Sequence, residues 1–132
     1  MNKKLWSKKP KNITSEIESL LSGEDILLDQ KLFLLDIKAS FAHTNELLAI
    51  NILTKSEANK IKKQLRILEK KYINNTFKLN SDYEDSHSAI ELFLTDELGT
   101  IGAKIHTGRS RNDQVLVALR LYAREALEQL RD

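Results

Sequence analysis

Ala58, Ile61, Leu65, Leu68 and Tyr72 follow one another at intervals of three, four, three and four residues, so a helix here carries one continuous apolar stripe. Thr54-Lys55-Ser56-Glu57 stands directly ahead of it and has the form of a capping box, in which hydroxyl and carboxylate satisfy each other's orphan backbone donors. Lys60, Lys62, Lys63, Arg66, Lys70 and Lys71 fill the other faces and read as a solvated surface. Similar periodicity governs most of the chain. Leu27 to Ile50 is apolar on more than one face, through Leu28, Leu32, Phe33, Leu34, Leu35, Ile37, Ala39, Phe41, Ala42, Leu47 and Leu48, as suits a helix buried on most sides. Ser86 to Leu98 repeats the pattern with Ile90, Phe93, Leu94 and Leu98, and Gly99 stands where a left-handed C-cap belongs. A last helix is expected to begin near Asn112 or Asp113, both favourable N-caps, and to run through Leu116, Leu119, Ala123, Ala126 and Leu130. Strand alternation is nearest at Asn75 to Leu79, which is short. The expected class is all-α.

Composition narrows what such a chain does. At 41% apolar and 30% charged, 132 residues suit one globular domain and not a disordered segment. Without cysteine there is no disulfide framework and no thiolate metal site, and three histidines with no close pair argue against a metal. No apolar run approaches the roughly 20 residues that span a bilayer. Met1 to Lys11 carries five lysines but no apolar core of a secretory signal. Beyond it the chain holds sixteen basic against nineteen acidic side chains, so the basic arm reads as a solvated tail, with Trp6 anchoring it on the body. Aromatics do not interleave with the basic residues, and a nucleic-acid partner is not expected. The apolar stripe of the last helix is still running at Asp132 with no stop signal, so the sequence reads as the front of a longer helical protein or as a fragment cut within a helix.

One stretch breaks the helical rhythm and concentrates functional groups: Gly99-Thr100-Ile101-Gly102-Ala103-Lys104-Ile105-His106-Thr107-Gly108-Arg109-Ser110-Arg111-Asn112-Asp113-Gln114. Glycines let the backbone approach a ligand, and two guanidiniums, an imidazole and two hydroxyls precede an expected helix N-terminus, where orphan N–H groups and the macrodipole favour an anion. A carboxylate or phosphate fits these residue types. The competing reading has Arg109 and Arg111 pair with Asp82, Glu84 or Asp85 and pin the loop. A Walker-type phosphate loop is excluded, because no Gly-Lys-Ser/Thr follows the glycines. Glu84-Asp85-Ser86-His87 is a second candidate: its acids complement a helix dipole, or His87 faces the same cavity as the arginines. His43, inside the apolar helix, reads as a hydrogen-bonded structural histidine.

His106-Thr107-Gly108-Arg109-Ser110-Arg111-Asn112-Asp113-Gln114-Val115 resembles the signature of the argininosuccinate lyases and their lens relatives, the δ-crystallins. Phe77-Lys78-Leu79-Asn80 with Glu84-Asp85-Ser86-His87 resembles the family's segment around Glu-Asp-Ile-His. Asp36-Ile37-Lys38-Ala39-Ser40-Phe41-Ala42-His43 resembles its Asp-Ile-x-Gly-Ser-x-Ala-His, and Leu5-Trp6 its opening Leu-Trp. The resemblance covers most of the chain. It implies the long-helix N-terminal portion of the fumarase/aspartase-type helical bundle: a basic arm and short helix over 1–24, a helical domain over 25–112 with the signature loop at 99–112, and over 113–132 the start of a long helix leading into the central bundle. It also implies a cytoplasmic homotetramer with active sites shared between subunits, acting in arginine biosynthesis. The implied reaction is cleavage of argininosuccinate to L-arginine and fumarate, with no metal or organic cofactor. Carried over by position, Asn112 and Arg111 are the expected substrate-binding residues, followed by Ser110, Thr107, Asp85 and His87.

Departures from the family pattern are specific. Ser7-Lys8-Lys9-Pro10 replaces a Gly-Gly-Arg-Phe arm, Asp25 falls where the family has a substrate-contacting serine, and Ala39 replaces a glycine. The family's Thr-His pair and its serine-bearing loop, which supplies the general base, are expected beyond Asp132, so the 132 residues alone are expected to anchor substrate without turning it over. The alternative is a non-catalytic helical module, crystallin-like or a truncated product that only associates with partners.

Overall fold

The computed structural model describes residues 29–80 and 82–131, and these are helical with no strand among them. Three long helices form the body: α1 (Phe33–Ala49), α2 (Lys55–Ile73) and α3 (Ser86–Leu98). A single turn, α4 (Thr100–Ala103), and a 3-10 turn over Lys104–His106 lead through the signature into α5 (Arg111–Arg131). The basic arm with Trp6, the Leu5-Trp6 and Asp25 positions, and the short helix expected within 1–24 lie outside the described residues.

α2 starts where the capping box places it. Thr54 Oγ1 accepts from Glu57 N at 3.2 Å and Glu57 Oε2 accepts from Thr54 N at 2.8 Å. Its stripe of Ala58, Ile61, Leu65 and Leu68 is fully buried, against Phe33, Ile37 and Leu47 of α1 and Ala89, Ile90 and Leu94 of α3. Each such aliphatic side chain contributes about 1.5–3 kcal/mol by leaving water. Asn75 to Leu79 is not a strand. Asn75 turns the chain at φ 56°, and Phe77 then enters an aromatic cluster with Phe33, Tyr83 and Phe93 at centroid distances of 5.7, 5.7 and 6.1 Å.

α1 buries residues on most of its circumference, polar ones included: Asp36, Ser40 and Thr44 lie inside with Phe33, Ile37 and Leu47. The large exposed apolar face belongs instead to α5, where Leu116, Leu119, Leu127 and Leu130 are exposed and only Gln114 and Ala118 are buried. Gly99 caps α3 at φ 59°, positive as expected, but its ψ of −132° lies outside the left-handed helical region and is one that glycine alone adopts readily.

Two expectations for the signature are corrected. The segment 99–112 is not a plain loop, since α4 and the 3-10 turn occupy Thr100–His106. The last helix begins at Arg111, ahead of Asn112 and Asp113. The Ser110 hydroxyl oxygen accepts from Asp113 N at 3.2 Å and donates to the Asp113 carboxylate at 2.7 Å, so serine is the cap and aspartate its partner three residues on.

Candidate functional site: the signature cavity

The signature is held from three sides before it meets any ligand. Glu57 divides its carboxylate between the α2 cap and Lys104, whose Nζ lies 2.7 Å from Oε1. The Lys104 and Thr54 hydrogen bonds hold the Glu57 carboxyl down to about 2. On the other flank His43 Nε2 donates to the Thr107 carbonyl at 3.0 Å, the structural role read for this histidine. Below, Gly102 lets α4 pass the end of α3 so closely that a Cβ would fall 2.0 Å from the Leu94 carbonyl oxygen.

A cavity of about 400 Å³ opens between the N-terminal half of α3 and the start of α5. Asp85, His87, Ser88 and Glu91 line it from α3, and His106, Ser110, Arg111 and Gln114 from the signature. Asp85 is the N-cap of α3, accepting from Ser88 N at 2.7 Å with Oδ1, while its Oδ2 meets Arg111 at 2.6 Å. Arg111 also reaches Glu84 at 3.2 Å, and its side chain remains half exposed at the rim. Glu91 pairs with His106 at 3.1 Å, and burial raises the Glu91 carboxyl above its ordinary range. Donors and acceptors thus face each other across one opening. Arg111, Ser110 and the α5 N-terminus suit a carboxylate, and Asp85, His87 and Glu91 at the start of α3 suit an N–H donor.

Of the substrate-binding residues expected from sequence, the structure brings Ser110, Arg111, His87 and Asp85 to this cavity. The competing pairing also occurs: Arg111 holds Asp85 and Glu84, while Arg109 turns inward to Ser40 Oγ at 3.2 Å. Thr107 lies outside the lining and contributes its carbonyl to His43. Asn112 is also outside it, exposed on the first turn of α5 and on the same helical face as Leu116, Leu119 and Leu127. A second cavity of about 420 Å³ lies on the far side of the signature, walled by Ala39, Ala42 and His43 of α1 with Gly108, Arg109, Val117 and Leu121 among its other residues. Sequence reasoning passed over Glu91, and it placed His106 and Gln114 in the functional stretch without assigning either a role. The i, i+4 step from His87 to Glu91 is the signal that places both on one face of α3.

Residues 15–132 match the lyase family. The chain belongs to that family. Among curated proteins the chain is 50% identical over 126 residues to the argininosuccinate lyase of Xylella fastidiosa, an alignment covering 96% of the chain and 28% of that protein. It is 45% identical over 130 residues to the argininosuccinate lyase of Xanthomonas oryzae pv. oryzae, covering 98% and 30%, and 47% identical over 123 residues to that of Stenotrophomonas maltophilia, covering 93% and 28%. The chain thus spans less than a third of the length of these relatives. Among its described residues no helix is long and apolar enough to cross a membrane, and no group of three or more histidines and acids is placed to hold a metal ion.

Proposed function

We propose that this chain forms the substrate-anchoring wall of an argininosuccinate lyase active site, for cleavage of argininosuccinate to L-arginine and fumarate in cytoplasmic arginine biosynthesis. The single observation that carries the reading is the two-signed cavity, with Arg111 and Ser110 on one wall and Asp85, His87 and Glu91 on the other. Its support from outside the structure is that relatives at 45–50% identity over nearly the whole chain are argininosuccinate lyases.

The reaction is a β-elimination. A base removes a proton from the carbon beside a carboxylate, the carbon–nitrogen bond breaks, and the guanidino nitrogen departs as part of arginine. The intermediate places extra negative charge on that carboxylate, so fixed donors aimed at it lower the barrier, each by about 3–4 kcal/mol. Arg111, the first turn of α5 and Ser110, whose hydroxyl proton turns from the Asp113 carboxylate to the substrate, are those donors in this reading. Arg111 exchanges its rim-exposed bond to Glu84 for substrate and keeps Asp85. Base and acid come from outside the 132 residues.

Asn112 contributes when a second copy covers the apolar face that it heads, consistent with a homotetramer whose sites are shared between subunits. In the complete enzyme Arg111→Lys and Asn112→Ala lower turnover by orders of magnitude with the tetramer preserved, and near-normal kinetics in both variants overturns the assignment. The 132 residues alone produce no fumarate from argininosuccinate, as followed by absorbance. The engagement of Arg111 by Asp85 and Glu84 favours a second reading, a helical module that only associates. Fumarate titration separates the two, since the anchoring wall shifts the Arg111 side-chain resonance and the module leaves it unmoved.

A further inference from the structure

One group behind the cavity is unused by this reading. Asp36, on the inner side of α1, is 2% exposed, and its Oδ1 finds no hydrogen-bond partner among the described residues. Oδ2 takes the Ser86 hydroxyl. His87 Nδ1 stands 3.5 Å from Oδ1, and the same imidazole lines the cavity. A buried acceptor that has lost its water and gained no donor is destabilised, so an N–H that needs to close by only a few tenths of an ångström is its partner. The two ring nitrogens point to different sides of the ring, and a histidine whose Nδ1 addresses Asp36 turns Nε2 away from it.

We propose that Asp36 is a positioning residue for His87: it accepts the Nδ1 proton, fixes that tautomer, and leaves a bare Nε2 as a hydrogen-bond acceptor in the cavity. The last step rests on the substrate reading above, in which Nε2 meets the N–H groups at the guanidino end while Arg111 and Ser110 hold the carboxylate.

The surroundings of the pair agree with a neutral imidazole. Burial is the largest influence on both members, raising the Asp36 carboxyl to about 7 and lowering His87 to about 4. Asp29 ahead of α1 and Asp85 at the α3 cap push Asp36 further up, while Ser86 and Arg109 hold it down. Asp85 favours the imidazolium, and Arg109 and Arg111 oppose it. At mildly alkaline pH the carboxylate is therefore charged and the ring is not.

Long-range proton–nitrogen NMR of the histidine-labelled 132-residue chain, at mildly alkaline pH, reads the tautomer directly. The expected spectrum has His87 Nδ1 protonated and Nε2 bare. In Asp36→Asn the Ser86 hydroxyl keeps its bond to the side-chain oxygen, which turns the NH2 toward Nδ1 and reverses the tautomer, with helical circular dichroism unchanged, whereas Ser86→Ala retains the parent tautomer. A bare Nδ1 in the parent overturns the proposal, as does one tautomer shared by the parent and a folded Asp36→Asn. If Asp36→Asn does not fold, the parent spectrum decides. Added arginine moves the His87 Nε2 resonance. An unmoved Nε2 with Nδ1 still protonated overturns the guanidino contact alone and leaves the positioning role supported.

Discussion

Gly102→Ala adds one methyl group where α4 crosses the end of α3, with no flexible side chain in the way to yield. The new Cβ falls 2.0 Å from the Leu94 carbonyl oxygen, 2.3 Å from its carbonyl carbon and 2.7 Å from Thr95 N, all backbone atoms. Restoring ordinary contact separates the two backbones by about 1.4 Å, enough to forfeit roughly half of the dispersion attraction across the seam. Ile90, Leu94 and Ile105 are buried there, each at 3% exposure or less. Losing part of their packing and straining the turn together cost about 3–5 kcal/mol. Gly108→Ala is the internal control: at φ 70° with nothing within 4 Å of its Cβ, it carries only the left-handed penalty of about 1–2 kcal/mol. Urea denaturation followed by helical circular dichroism, on parent and both variants, gives the comparison. A Gly102→Ala variant within about 1 kcal/mol of the parent would falsify the reasoning, because it would mean that the seam opens freely.

Acid titration isolates Glu57. Its folded value lies below the ordinary glutamate value of 4.5, so its contribution is complete above 4.5 and lost as pH falls toward 2. Glu57→Gln removes that slope, and an unchanged acid limb counts against the Lys104 and Thr54 bonds. The pair Asp36 and His87 has opposed slopes. Asp36, raised from 3.8 to about 7, makes stability fall as pH rises through that window, while His87, lowered from 6.5 to about 4, makes it rise. The parent is therefore nearly flat there; His87→Gln leaves a falling profile and Asp36→Asn a rising one, and slopes of one sign in both variants refute the assignment. The apolar face of α5 drives self-association, so Leu119→Lys with Leu127→Glu lowers the mass seen by light scattering, and equal mass in parent and variant argues that the face is inert.

The helices were legible where local signals agree. Thr54 and Glu57 fixed the start of α2, and its three-four spacing named the four buried residues, with Tyr72 half-buried at the end of the stripe, because both signals depend on neighbours within one turn. The start of α5 was read one or two residues late. Asn112 and Asp113 are themselves good caps, and the Ser110-x-x-Asp113 pattern two residues earlier was passed over. The arginines were legible as an anion-binding group, and Glu84 and Asp85 as two of three candidate partners, but which of them each arginine meets was not. Arg111 to Asp85, and Asp36 to His87, join residues on different helices, and nothing in local spacing encodes which carboxylate a guanidinium or imidazole meets. Leu27 to Ile50 was read as a helix buried on most sides, and the large exposed apolar face is not on α1. It lies on α5 because α2, α3 and α5 pack around α1 and cover it.

The moorings of the signature constrain its dynamics. Lys104 is tied to the first turn of α2 and Thr107 to the middle of α1, and both helices belong to the common core. A segment fastened at two points to packed helices opens less readily than a free turn, so its hydrogen-bonded amides exchange more slowly than those of an untethered loop. Ligands then meet a rigid receptor whose shape is inherited from the globule, and mutations deep among the leucines are felt at the cavity through its walls.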